Sequence, residues 1–351
     1  MAIVKIVKIR NRVIGEGHPL FIIAEAGVNH NGDVGLAKKL IDGAKEAGAD
    51  AVKFQTFKAE NVVTENAGMA KYQKRNTGKS QTQLGMIKKL ELKYKDFIKL
   101  KKYCDKKKII FLSTPHTEDA VDFLEPLVPA YKIGSGDLTN LPFLKKIAKK
   151  KKPIILSTGM ATLAEVREAV KTIKKAGNNK IILLHCTTNY PCPLEEVNLR
   201  AMQTLKQEFN LPVGYSDHTL GITISIMAVA MGANAIEKHF TLNRNLPGPD
   251  HKASLEPDEL RNMVIAIRNV EKALGNGIKK LTKSEEEIKK VARKSIVAKV
   301  DIPAGTKITK EMLIIKRPGT GIEPRYLNKL IGKIAKKEIK KDTLIKFKDL
   351  K

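Results

Sequence analysis

The chain has 351 residues, 42% of them hydrophobic, with a formal net charge of +28 and no tryptophan. No apolar run approaches the ~20 residues of a membrane span, and an aromatic content of 5% leaves no stacking platform for nucleic-acid bases despite the basic balance. The lysines are spread along the whole chain, often as KK or KKK on expected helices. That is a solvated surface of the heat-adapted kind, and its field attracts anionic substrates.

The opening segment, MAIVKIVKIRNRVIG, alternates like a strand pair and not like a signal peptide. Cys104, Cys186 and Cys192 have no metal-ligand spacing and read as reduced thiols of a cytoplasmic protein. From Phe21 onward one unit recurs: a short apolar run ending in small or polar residues, then an amphipathic helix. The runs are 21–24, 51–55, 109–113, 130–134, 153–157, 181–186, 211–215 and 235–240. Helical patterns span 35–47, 94–106, 117–124, 142–149, 163–176, 198–208, 222–231 and 257–274. Eight such units in about 250 residues predict an α/β chain folded as a (β/α)8 TIM barrel. The alternative, a doubly wound sheet, would want a GxGxxG after the first strand, and none is there.

Two stretches interrupt this rhythm. Residues 57–92 form a long polar connection, poorly periodic from Glu60 to Leu84, of the kind that lids or walls an active rim. After the eighth run, Asn243 to Ser254 is stiffened by Pro-Gly-Pro, which places Asp250 and His251 near His239. The barrel domain is expected to cover 1–277, followed by a charged helical linker over 278–291. A small, strand-like and helix-poor domain follows over 292–351. That domain repeats itself after 37 residues: Ile302, Thr306, Ile308 and Leu313 recur as Ile339, Thr343, Ile345 and Leu350. Two pseudo-symmetric halves are predicted, with a Pro/Gly-rich loop between them that presents Arg317.

Polar residues collect at the C-terminal ends of the eight runs, the rim on which a TIM barrel builds its active site. They include Glu25, Lys53, Gln55, Thr114, Lys132, Ser135, Asp137, Ser157, His185 and the segment Thr187 to Tyr190. Ser216-Asp217-His218 and Glu237-Lys238-His239 complete the set. Val213 to Phe240 reads strand, helix, strand, so His218 and His239 end neighbouring parallel strands and form half of a divalent-metal site. Lysine inside a strand needs an anionic partner. Lys53, Lys132 and Lys238 are therefore expected to meet the two histidines at one mouth. Lys53, Lys132, Ser135, Ser157 and Ser216 supply the cations and small donors that a phosphate needs. Glu25, Asp137 and Asp250 supply acid/base groups. The set fits addition of an enol phosphate to a carbonyl better than a Schiff-base aldolase, which would not need the histidine pair.

The segments AEAGVNHNG, VKFQT, YKIGSGD, LSTGM, CTTNYP, GYSDH, EKHFT, GPDH and KRPGTGI occur in the order of the sialic acid synthase family, which the chain resembles over nearly its whole length. The tail resembles the antifreeze-like domain of that family. The resemblance implies condensation of phosphoenolpyruvate with an N-acylated hexosamine, either N-acetylmannosamine or a diacetamido-deoxyhexose. A nine-carbon 2-keto sugar acid forms and phosphate leaves. It implies that His218 and His239 ligate manganese or magnesium, and that Lys53, Lys132, Ser135, Ser157 and Ser216 hold phosphoenolpyruvate. Glu25, Gln55, Tyr190 and Asp250 would face the amino sugar, with Asp137 near a metal-bound water. Thr188 stands where some members have asparagine, so the neighbouring Asn189 is assigned to the sugar side. Arg317 would come from the other subunit of a domain-swapped homodimer and meet the N-acyl group. Two alternatives stand beside this reading. A synthase acting on an aldose phosphate would need a second cationic cradle, from His30, Lys58 and Lys71. A non-catalytic carbohydrate- or ice-binding protein would leave the barrel rim unexplained.

Overall fold

The computed structural model describes residues 6–77 and 82–351, and the chain divides into two compact units after Gly275. The first unit opens with an antiparallel hairpin, β1 (Val7–Ile9) and β2 (Arg12–Ile14). Eight parallel strands follow: β3 (Phe21–Gly27), β4 (Ala51–Thr56), β5 (Ile110–Pro115), β6 (Tyr131–Ile133), β7 (Ile154–Ser157), β8 (Ile181–Cys186), β9 (Val213–Asp217) and β10 (Ala235–His239). They pair in the order β5-β4-β3-β10-β9-β8-β7-β6, and the two end strands lie side by side, so the sheet curls into a nearly closed TIM-type barrel.

The helices of this unit are α1 (Val34–Glu46), α2 (Lys71–Thr77), α3 (Gln83–Lys88), α4 (Tyr94–Lys107), α5 (Glu118–Leu124), α6 (Leu141–Lys149), α7 (Leu163–Lys175), α8 (Ala201–Phe209), α9 (Thr223–Ala230) and α10 (Pro257–Leu274). Side chains fix where several begin. Asp33 accepts from the Leu36 amide, Asn140 from Phe143, and Thr162 forms a capping box with Glu165. The helix expected from 198 starts only at Ala201, because Asn198 takes a left-handed φ of 46° that a helix cannot contain. The connection over 57–92 is not featureless: it carries α2 and α3, each too short to show a helical period in sequence. No helix among the described residues is long and apolar enough to cross a membrane.

The two-residue period of the strands decides what the barrel encloses. Phe21, Ile23, Ala51, Leu112, Ile155 and Ile182 point inward and pack with Val7, Ile9 and Ile14 of the hairpin, which stops the N-terminal end. The intervening residues, among them Ile22, Val52, Phe54, Phe111 and Ile236, pack outward against the apolar faces of the helices. Gly214 is set by crowding at the same lining: a Cβ there would lie 2.3 Å from the Ala235 carbonyl oxygen. With the N-terminal half of the barrel filled by apolar side chains, the inward polar residues are left together at the C-terminal mouth.

The second unit contains α11 (Lys283–Ala292), an antiparallel pair β11 (Ser295–Ala298) and β12 (Leu313–Lys316), and the short α12 (Leu327–Leu330). The segment read as a linker therefore meets the small domain directly: the Lys290 carbonyl accepts from the Gly319 amide at 2.7 Å. The 37-residue repeat is a physical pairing. Ile302 and Ile339, equivalent positions, exchange both amide hydrogen bonds at 2.8 Å. Ala298 donates to Thr343 while its counterpart Ala335 donates to Thr306, and Gly305 donates to Ala335 while Asp342 donates to Ala298. Each half thus satisfies the amides of the other around a local twofold. Ile302, Ile308 and Leu313 share one core with Ile339, Ile345 and Leu350.

Candidate active site

Inward alternation along β3, β4 and β10 brings Glu25, Lys53, Glu237 and His239 to the mouth, while β6, β7 and β9 bring Lys132, Ser157 and Ser216. All seven are buried. Lys53 Nζ lies 2.6 Å from Glu25 Oε2, 3.7 Å from Glu237 Oε2 and 3.2 Å from Thr114 Oγ1, to which it donates. Lys132 Nζ donates to Ser157 Oγ at 2.8 Å and stands 3.5 Å from Glu237 Oε1. Ser216 Oγ donates to the same Glu237 oxygen at 2.9 Å. Two ammoniums and two carboxylates form one network, with Gln55 Nε2 donating to Glu25 Oε1 at 3.2 Å above it.

Burial sets the protonation of this network, and neighbours correct it. Burial pushes Glu25 up to about 7 against the opposing pull of Lys53. Burial alone would raise Glu237 too, but Lys132 and Lys53 outweigh it and hold that carboxyl below its ordinary range. Burial works against the Lys53 ammonium, yet Glu237 and Glu25 keep it above the usual lysine value. Lys132, with less compensation, is lowered by burial.

The cavity above this floor has a volume of about 270 Å³. His218 and His239 line it with ring centroids 5.6 Å apart, and Tyr190 packs against both at 4.1 and 5.4 Å. Burial pushes His218 down to about 4 and His239 well below the ordinary imidazole value, so both rings are neutral. His218 Nδ1 lies 2.6 Å from the Thr187 carbonyl oxygen and carries the proton, leaving the Nε2 lone pair free for a ligand; Nε2 itself is 3.5 Å from Ser216 Oγ. His239 Nδ1 is buried with no hydrogen-bond partner. Neutral imidazoles with uncommitted nitrogens fit a divalent ion that keeps several open positions. No cluster of three or more carboxylate, thiol or imidazole side chains that could hold a metal is present among the described residues.

Other residues singled out from sequence fall in different places. Asp250 lines the cavity, and burial pushes its carboxyl up to about 6. Ser135 lines it as well, bonded to Cys186 Sγ at 3.1 Å and accepting from the Gly159 amide. Asp137 does not reach the lining; its Oδ2 is 3.7 Å from Nδ1 of His116, which does. Arg317 lies in the second unit, where its Nε donates to the Ala292 carbonyl at 3.1 Å. Asn189 lines a neighbouring groove, and Thr188 lines both that groove and the cavity, its buried Oγ1 without a hydrogen-bond partner.

Lys238 is a correction, since it does not join the histidines at the mouth. It points outward from β10, is fully buried, and pairs with Asp217 Oδ2 at 3.0 Å. Asp217 also accepts from Thr219 and Ser225, so the pair locks the strand ends that carry the two histidines. His251 bonds Thr241 and Asn31 and does not line the cavity. His185 bonds the Val197 carbonyl outside the cavity. The residue undervalued in sequence is Glu237. Its two-residue spacing from His239 and its lysine neighbours on facing strands were the available signal.

A model of the NeuB family matches residues 40–279, and a SAF domain model matches residues 293–351. The chain is 54% identical to the N,N'-diacetyllegionaminic acid synthase of Campylobacter jejuni over 328 residues, covering 93% of this chain and 98% of that one. It is 40% identical to the N-acetylneuraminate-9-phosphate synthase of Homo sapiens over 339 residues, covering 95% and 93%. The crystal structure of N-acetylneuraminic acid synthetase from Leptospira borgpetersenii, in complex with citrate, matches with a TM-score of 0.72 and 38% identity over 81% of this chain and 95% of that one. The family match spans the greater part of the barrel, and the chain therefore belongs to the NeuB family of sialic-acid-type synthases and carries a SAF, or antifreeze-like, domain after its barrel.

Proposed function

We propose that this enzyme condenses phosphoenolpyruvate with an N-acylated hexosamine to give a nine-carbon 2-keto sugar acid and inorganic phosphate. The observation that carries the reading is the floor of the cavity, where Lys53 and Lys132 converge from separate strands beside Ser157 and Ser216. An anion entering there exchanges the Glu237 contacts for its own and finds hydroxyl donors already aimed. Ser135 extends the cradle. Tyr190, Gln55 and Asp250 are assigned to the sugar.

The enol C3 of phosphoenolpyruvate attacks the aldehyde carbon of the open-chain sugar, forming the new C–C bond. Water adds to C2, the C2–O bond breaks, and the bridging oxygen leaves with phosphate. A manganese or magnesium ion held by His218 and His239 would supply Lewis-acid polarisation of the aldehyde. Glu25, poised near 7, takes or returns a proton at its carboxyl while Lys53 holds it in place. Asp250, near 6, is the second proton carrier. Arg317 is assigned to the N-acyl group across a domain-swapped homodimer, and the protein to the cytoplasm, where its three free thiols stay reduced.

Phosphate release from phosphoenolpyruvate, N-acylhexosamine and Mn2+ tests the assignment. Lys132→Ala and His239→Ala are each expected to lower the rate at least ~100-fold. An unchanged rate in either variant removes the role given to that residue. Phosphoenolpyruvate labelled with 18O at the bridging position should yield labelled phosphate; unlabelled phosphate would place the cleavage at P–O.

A further inference from the structure

We propose that the water consumed in the condensation is held between Thr188 and Ser135, and that the Thr188 hydroxyl turns its oxygen toward C2 of phosphoenolpyruvate. The inference rests on the condensation proposed above and names the groups that hold its third reactant.

A buried hydroxyl left unpaired costs free energy, and Thr188 Oγ1 has no hydrogen-bond partner in the protein. Its surroundings are polar. A Cβ on Gly159 would lie 2.3 Å from Thr188 Oγ1, 2.8 Å from Ser135 Oγ and 2.9 Å from Cys186 Sγ. Three heteroatoms from the ends of β6 and β8 thus close on one point, and glycine is what leaves them room. Thr188 and Ser135 are not bonded to each other, yet both stand near enough to that point for one water to bridge them. Ser135 Oγ accepts from the Gly159 amide at 3.1 Å and shares a hydrogen with Cys186 Sγ at 3.1 Å. A hydroxyl has one donor and two acceptor positions, so with its hydrogen given to the sulfur one acceptor position remains. A buried water takes roughly two to four polar partners, and this corner supplies them.

The same corner adjoins solvent. Cys186 and Thr188 line both the cavity and a neighbouring groove of about 900 Å³. That groove is lined in part by Thr162, Asn198 and Thr204, all exposed. Solvent therefore comes within one side chain of the phosphate cradle without crossing the mouth that the sugar occupies.

The chemistry needs a water at this place. Ser135 belongs to the phosphate cradle, and C2 carries the ester oxygen of that phosphate. A water that donates one proton to Thr188 and one to Ser135 presents its lone pair to C2. Once C3 has bonded to the aldehyde carbon, that lone pair forms the new C2–O bond, and the C2–O bond to phosphate breaks with its electrons on the leaving oxygen. The water oxygen stays as the keto oxygen. One of its protons ends on the former aldehyde oxygen and the other on the released phosphate.

The test uses the full-length enzyme with Mn2+, phosphoenolpyruvate and either N-acetylmannosamine or 2,4-diacetamido-2,4,6-trideoxymannose, whichever the unaltered enzyme turns over faster. Thr188→Val keeps the shape and removes the hydroxyl. It is expected to lower kcat about 10- to 100-fold, with KM for phosphoenolpyruvate little changed. Its solvent deuterium isotope effect on kcat should exceed that of the unaltered enzyme, because addition of water then limits turnover. Thr188→Ser should restore most of the rate. An unchanged kcat in Thr188→Val, or a serine variant as slow as the valine one, overturns the inference and leaves the condensation standing. A high-resolution crystal structure of the unaltered enzyme with phosphoenolpyruvate gives a second reading that needs no variant: an ordered water bonded to Thr188 Oγ1 and Ser135 Oγ is expected, and its absence overturns the inference. No phosphate release by the unaltered enzyme with either sugar overturns the condensation itself.

Discussion

Two buried histidines outside the cavity lining contribute to how the protein answers to acid. Burial lowers His30 and His251 to about 4. Their hydrogen bonds agree with neutral rings: His30 Nδ1 accepts from Gly32, and His251 sits between Thr241 and Asn31. In the unfolded chain both titrate near 6.5. As pH falls through that value the unfolded state takes up protons that the folded state refuses. Their contribution is therefore full above 6.5 and is lost between 6.5 and 4, on the order of 1–3 kcal/mol for each residue. Urea midpoints at pH 7, 5.5 and 4.5 should fall steadily, and less steeply in His251→Gln. Equal slopes in the two proteins would contradict this. Single residues were also where the sequence was least legible. Thr188 and Asn189 are both polar and both follow β8, and only the path of the chain after Cys186 decides which one faces the cavity.

Strand alternation carried most of what could be read at the level of elements. Eight apolar runs with polar ends gave the barrel and its active rim, because a strand buried on both faces has no other reading once helices separate the runs. Side-chain direction was legible only where two residues of known role fixed the phase. His218 and His239 place Ser216 and Glu237 on the inner face, and thereby turn Asp217 and Lys238 outward. The lysine then meets its anion behind the sheet and not in the cavity. Breaking that pair leaves a buried charge unmatched, so Lys238→Ala is expected to cost about 3–5 kcal/mol in urea unfolding. An apolar replacement of both residues, Asp217→Leu with Lys238→Met, should cost less than the single change. The reverse order would mean that the pair is not a self-contained unit. The short α2 and α3 escaped notice because a single helical turn or two cannot display a period.

For the molecule as a whole, the domain-swapped homodimer proposed above makes a quantitative prediction. An Arg317→Ala preparation and a Lys132→Ala preparation are each expected to be nearly inactive. Mixed under conditions that exchange subunits, they form heterodimers in which one site pairs an intact barrel with an intact arginine. Activity should return to about a quarter of the wild-type value for random exchange. No recovery would show that Arg317 serves its own chain or none. The strong positive charge adds a further expectation: self-repulsion at +28 should make the unfolding midpoint rise as NaCl goes from ~10 to ~200 mM. A flat or falling salt dependence would show that local ion pairs, such as Lys146 and Lys150 with Asp122, outweigh the overall field.

The reciprocal amide bonding of residues 298–306 with 335–343 has one more consequence. A segment of 37 residues that completes itself with its own duplicate is a dimer written into a single polypeptide. Tethering the two copies replaces association by intramolecular closure, so the module's integrity no longer depends on how concentrated it is. The duplicates are then free to diverge wherever their shared dyad does not constrain them: where the first copy turns through Gly305 with φ of 83°, the second manages the same bend with Asp342 at 62°.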